Sequence, residues 1–113
     1  MASKGRIQNW ATQIRKGYLE LSILTLIQSR QRVYGFEILE VMERAELPVK
    51  EGTLYPLLNR MASEGWLAAS WQTENLKGHP RKFYSLTKEG ETILKDMQSE
   101  FEKLTTIYNK FKE

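Results

Sequence analysis

The chain has 113 residues, 41% hydrophobic and 27% charged, with no cysteine, one histidine and a net charge of +3. Such a length buries roughly two-thirds of its unfolded surface, enough for one modest core and no second. The composition excludes disulfides, thiolate metal sites and cysteine nucleophiles, and no run reaches the roughly 18 to 20 apolar residues of a membrane span.

The residues Met1 to Arg6 lead into Gln, Asn and Arg, so they lack the apolar centre of a secretory signal and a cytoplasmic protein is expected. Arg15 to Ser29 is apolar on nearly every face and predicts a helix at the centre of the domain. After a polar break at 28–32, Tyr34-Gly35 opens a second helix through Phe36, Ile38, Leu39, Val41 and Met42, closing near Glu46. Leu47-Pro48-Val49 is an extended connection, because the residue before proline avoids the α region.

A third helix follows, expected to begin near Gly52 or Thr53 so that Pro56 falls in its first turn. It ends at Glu64-Gly65, where Gly65 supplies a left-handed cap. Leu54, Leu57, Leu58 and Met61 recur at helical spacing and form its inner stripe. Tyr55, Asn59 and Ser63 lie across from that stripe, with Thr53 and Arg60 on the flank. Trp66 to Trp71 and Phe83 to Leu86 have strand composition, and the Asn, Gly and Pro cluster between them reads as a hairpin tip. Lys77, His79, Arg81 and Lys82 sit at this tip within six residues, with no acid among them. Thr87 caps a last helix whose first turn holds Glu89 and Glu91.

Three helices, a basic hairpin and a terminal helix describe a mainly α winged helix-turn-helix fold with a small β-hairpin wing. The expected organisation is a DNA-binding domain over 1–86 and a dimerisation helix over 87–113. The last helix carries Leu94, Met97, Phe101, Leu104, Tyr108 and Phe111 at spacings of 3, 4, 3, 4 and 3, a heptad seam that needs a partner. Ile93 and Ile107 widen it, so contact with Ile7, Trp10 and Ile14 across a dimer is expected. Charge is placed accordingly: residues 1–83 hold 12 Lys and Arg against 8 Asp and Glu, whereas 84–113 hold 5 against 6. The basic excess accompanies the third helix, as phosphate recognition requires.

The motifs Tyr34-Gly35-Phe36-Glu37-Ile38, Gly52-Thr53-Leu54-Tyr55-Pro56-Leu57-Leu58, Glu64-Gly65-Trp66-Leu67 and Arg81-Lys82-Phe83-Tyr84-Ser85-Leu86-Thr87 resemble those of the PadR family of bacterial transcriptional regulators. The likeness is to the short branch with a single C-terminal helix. Phe83 and Met61 stand where Tyr and Leu are common in that family. The resemblance implies a dimeric winged-helix repressor that binds a roughly palindromic operator and is often released by a small molecule.

On this reading the third helix enters the major groove with Tyr55, Pro56, Asn59 and Arg60 nearest the DNA. Arg60 has the chemistry to pair with guanine and Asn59 with adenine, although phosphate contacts are as good an account of both. Lys50, Thr53 and the Tyr34 hydroxyl are expected at phosphates, although burial of its ring is an equally good account of Tyr34, and Lys77, His79, Arg81 and Lys82 form the wing. Ile14, Leu94, Met97, Phe101, Leu104, Tyr108 and Phe111 are the expected dimer contacts. Trp10, Phe101, Leu104 and Tyr108 form a candidate site for a hydrophobic or aromatic effector, or else fill the interface. Trp66 and Trp71 are expected to be packing residues. No cofactor or metal is implied: the acids Glu37, Glu40, Glu43 and Glu46 have no His or Cys partner, and His79 has no carboxylate or nucleophile to work with. An enzyme is therefore not expected, and the remaining alternative is a winged-helix protein-interaction adaptor without specific DNA binding.

Overall fold

The computed structural model of the chain describes residues 2–72 and 80–113. In order the elements are α1 (Ala2–Arg30), β1 (Val33–Tyr34), α2 (Gly35–Arg44), α3 (Glu51–Ser63), β2 (Leu67–Gln72), β3 (Arg81–Leu86) and α4 (Lys88–Lys112). The strands form one antiparallel sheet in the order β1-β3-β2. The expected fold is present, with one strand more than the sequence indicated. Val33 and Tyr34 pair with Tyr84 and Phe83, but two residues are too few for alternation to register against the helix that follows.

The helix expected over Arg15–Ser29 is the second half of a longer one. Ile7, Trp10, Ile14, Tyr18 and Leu21 follow helical spacing with no proline to interrupt them, so the helix extends to Ala2. Leu19, Ile23, Leu24 and Ile27 are buried, whereas Thr25 is exposed, so α1 is central but not apolar all round. Gln31 takes a positive φ of 68° and turns the chain into β1. On α2, Gly35, Ile38 and Met42 face inward and Phe36 is exposed. Its start is fixed by the Glu37 carboxylate, which accepts from the Tyr34 backbone N–H at 3.1 Å.

α3 begins one or two residues earlier than expected. The Lys50 carbonyl accepts from the N–H groups of both Thr53 and Leu54 at 2.9 Å, closing the first turn around Glu51. Pro56 therefore lies inside the helix, where it can make no bond to the Gly52 carbonyl. Gly52 is exposed, so that carbonyl is open to solvent. The helix ends as expected, with Gly65 at a φ of 85°.

The core joins α1 to Val33, to Ile38 and Met42 of α2, to Leu54, Leu58 and Met61 of α3, and to Leu67 and Tyr84 of the sheet. Leu94 of α4 is fully buried in the same cluster, and Met97 packs partly against it. Leu94 therefore belongs to the protomer's own core, which corrects its assignment to a dimer seam, whereas Met97 is only partly covered and borders the groove between α1 and α4. What brings α4 into the core is its first turn. The Thr87 hydroxyl donates to the Gly65 carbonyl at 2.6 Å and accepts from Gly90 N–H at 2.9 Å. Gly90 lies so close to the Trp66 backbone that a Cβ would meet the Trp66 carbonyl oxygen at 2.0 Å.

Candidate nucleic-acid interface and an apolar groove

α3 turns Leu54, Leu58 and Met61 inward and leaves Gly52, Thr53, Pro56, Asn59 and Ser63 exposed, with Lys50 exposed at its N-terminus. Gly52, Pro56, Asn59 and Ser63 fall at spacings of 4, 3 and 4 and so share one face. The N–H groups of Glu51 and Gly52 precede the first bond of the helix, which Thr53 N–H makes to Lys50, and lie beside the exposed Lys50 and Thr53, an arrangement suited to phosphate. Gly52 completes a surface for which sequence reasoning had named Thr53, Pro56, Asn59 and Ser63.

Tyr55 leans away from that face. Its ring lies on Gly35, where an added Cβ would come within 2.5 Å of the ring. Burial first, and then the negative charge of Glu51, raise the Tyr55 phenol above its ordinary value, so it stays protonated and able to donate. Tyr84 is raised likewise, first by burial and then by Tyr55.

Arg60 is engaged elsewhere. Its guanidinium pairs with Glu20 of α1 at 2.9 Å and with Glu64 at 3.1 Å, and lies 5.8 Å from the centre of the Trp66 ring. It is turned toward α1 rather than toward the face that carries Asn59. Tyr34, expected to reach a phosphate, has its ring edge-on to Phe83 at 5.5 Å and beneath Arg81 at 4.7 Å.

Strand alternation separates the two described basic residues of the wing. Arg81, Phe83 and Tyr34 share the outer face of the sheet, where Arg32 also lies over the Phe83 ring at 4.0 Å and donates to the Gln72 side-chain oxygen. Lys82 shares the opposite face with Tyr84 and Trp71, on the side of Tyr55 and α3. Arg81 and Lys82 thus do not converge on one surface, as a reading of the tip as a single cluster implies. Lys77 and His79 lie outside the described residues. Arg32 was missed because β1 was missed; the signal available was a basic residue two places before an aromatic. Trp66 is half-buried against the core, whereas Trp71 is 64% exposed and so is not a packing residue.

Helices α1 and α4 bound an open groove of about 910 Å³. Trp10, Phe101, Leu104 and Tyr108, the candidate effector residues, all line it, together with Ile14, Tyr18, Trp66 and Met97. Tyr18 and Phe101 meet across it with ring centres 5.6 Å apart. Trp10 and Ile14, expected to reach a partner's helix, here run along α4 of their own chain. Three carboxylates, Glu20, Asp96 and Glu100, line the groove with no Lys, Arg or His. Ile7, Trp10, Ile14, Leu104, Tyr108 and Phe111 stay exposed around it. Among the described residues no helix is long and apolar enough to cross a membrane, and none form a metal-binding cluster of His, Cys, Asp or Glu.

The crystal structure of a PadR family transcriptional regulator from Eggerthella lenta DSM 2243 superposes with a TM-score of 0.87 at 28% identity, covering 100% of this chain and 97% of that one. A PadR-like transcription factor from Bacteroides fragilis is 36% identical, with a TM-score of 0.77 over 91% of this chain and 98% of its own. A protein of Lysinibacillus sphaericus, described as Uncharacterized protein X, is 30% identical over 90% of this chain and 94% of its own length. Sequence comparison against families matches the transcriptional regulator PadR-like family over residues 23–96. That span runs from the buried half of α1, through α3 and the wing, to the buried start of α4, so it covers all of the core except Leu19 and includes the exposed face of α3. The chain belongs to the PadR-like family of transcriptional regulators and is a DNA-binding regulator, not an enzyme.

Proposed function

We propose that this regulator is a dimeric repressor that binds a palindromic operator in the cytoplasm and is released by a hydrophobic or aromatic effector held in the groove between α1 and α4. The observation that carries this is the uncovered apolar surface of those helices. Phe101, Leu104, Tyr108 and Phe111 continue the α4 seam beyond the core, and Ile7, Trp10 and Ile14 face the same side. A monomer rarely leaves so large a contiguous apolar patch in water. Residues 1–86 act as the DNA-reading part and 87–113 as the dimerisation helix, with Leu94 and Met97 joining the two.

On DNA, α3 occupies the major groove with Asn59 and Pro56 foremost, while Lys50, Thr53 and Lys82, together with Lys77 and His79, supply phosphate contacts. Tyr55 and Tyr34 contribute through their hydroxyl groups, and Arg81 from the wing's outer face. Two-fold symmetry places the two α3 helices about 34 Å apart, or about 10 bp between half-sites.

Light scattering and anisotropy with a labelled duplex from upstream of its own gene test this reading. The expected particle has twice the 13.2 kDa mass of the chain. Roughly eight neutralised phosphates give a log-log salt slope of about −7. A monomeric particle, a footprint without two-fold symmetry, or a slope shallower than about −3 argues against it.

A further inference from the structure

Trp71 lies near the end of β2 with its indole 64% exposed, opposite Lys82 of β3 in the sheet register. The Lys82 ammonium is 5.6 Å from the centre of the Trp71 ring and 5.7 Å from that of Tyr84. Strand alternation places Trp71, Lys82 and Tyr84 on one face, and Tyr84 is buried in the core cluster that also holds Leu54 and Leu58 of α3. These three side chains form a row along the wing that ends at the core beneath α3. A polar residue would serve a solvated strand end equally well. The indole instead offers a broad flat apolar surface, with a cation at its edge, beside a DNA-reading helix.

We propose that Trp71 is a DNA-contacting residue, packing its ring on the deoxyribose backbone that borders the minor groove next to the major groove occupied by α3, with Lys82 on the flanking phosphate. Sugar edges are apolar and the phosphates beside them anionic, which matches an indole bordered by an ammonium group. The six residues of β2 span roughly 20 Å, enough to reach from one groove to the next. Contact with sugars is independent of sequence, so Trp71 adds affinity to any duplex and leaves selectivity to α3. The proposal rests on the reading that the wing touches DNA.

Apolar and ionic contacts respond differently to salt, which separates the two residues. Anisotropy is measured for the full-length protein, Trp71→Ala, Trp71→Phe and Lys82→Ala with a labelled duplex from upstream of its own gene, between 50 and 200 mM salt. Trp71→Ala is expected to weaken binding roughly tenfold at every salt concentration with the slope unchanged, by analogy with aromatic contacts to nucleic acid, and Trp71→Phe to recover most of the loss. Lys82→Ala is expected to flatten the slope by about 0.9 for each of two lysines in a dimer. Trp71→Ala binding within twofold of the parent, with Lys82→Ala still flattening the slope, overturns the role of Trp71 and leaves the wing in place. A Trp71→Ala variant that flattens the slope overturns it too, since the ring then serves only to place Lys82. If neither variant changes binding, the wing reading fails and the proposal with it. Because Trp71 is exposed, unchanged circular dichroism is expected for both of its variants.

Discussion

Arg60 of α3 and Glu20 of α1 form an ion pair of 2.9 Å, and Glu20 also lines the groove between α1 and α4. Burial acts against the Arg60 charge, but bonds to Glu20 and Glu64 outweigh it and raise its basicity further. A guanidinium with two carboxylate partners is poorly placed to read a base, since pairing with guanine means leaving both. Arg60→Ala is expected to lower operator and scrambled-duplex affinity alike, by less than about threefold. Both partners are partly exposed, so the loss of stability should stay below about 1 kcal/mol. Binding to operators altered one base pair at a time decides the matter: a selectivity loss of about 1 to 3 kcal/mol at one position assigns base reading to Arg60 after all.

The two ends of the α4 stripe should respond to truncation in different ways. Leu94→Ala is expected to cost about 2 to 5 kcal/mol in urea unfolding, because the side chain is fully buried within the protomer. Leu104→Ala removes a side chain exposed in the protomer and is expected to change the concentration dependence of unfolding and of light-scattering mass. Equal effects of both on stability, with no change in association, would place Leu104 outside any subunit contact.

Two glycines support close packing against unlike obstacles. At Gly90 an added methyl meets the Trp66 backbone, which cannot move without dislodging α4, so Gly90→Ala is expected to cost about 3 kcal/mol or more. At Gly35 the obstacle is the Tyr55 side chain, which can swing away, and Gly35→Ala is expected to cost about 1 kcal/mol. Thermal unfolding checks the order; a Gly35 variant as unstable as the Gly90 variant would mean that Tyr55 is held rigidly.

The charge lining the groove bears on its ligand. With Glu20, Asp96 and Glu100 present and no basic side chain, neutral and cationic planar aromatics are expected to bind about tenfold or more tightly than anionic ones of the same size. Tryptophan fluorescence measures this, with Trp71→Phe as the background so that the wing does not contribute. Glu100→Gln should narrow the preference. Phe101→Ala should weaken the ligand response, and an intact response alongside weakened dimerisation would rule out the groove as the effector site.

Local patterns sufficed for much of this molecule. The inner stripe of α3 at Leu54, Leu58 and Met61, the Gly65 terminus and the Thr87 cap are each set by residues within a turn or two of one another, so period and cap chemistry reveal them. The motifs at Tyr34, Gly52 and Arg81 were enough to indicate the family, and the heptads of α4 show that its seam needs cover. Three features depended on contacts between residues distant in the chain. Leu94 is core and Leu104 is surface although both sit in one heptad pattern, because only the close approach of Gly90 to Trp66 determines how much of α4 the domain covers. Arg60 is drawn to Glu20, forty residues earlier, by the packing of α3 on α1. The extra strand β1 exists only because β3 offers it partners, and with it came Arg32 on the outer face of the sheet and the division of Arg81 from Lys82. Periodicity specifies which side of an element is apolar; the rest of the fold supplies what covers that side and how far along the element the cover extends.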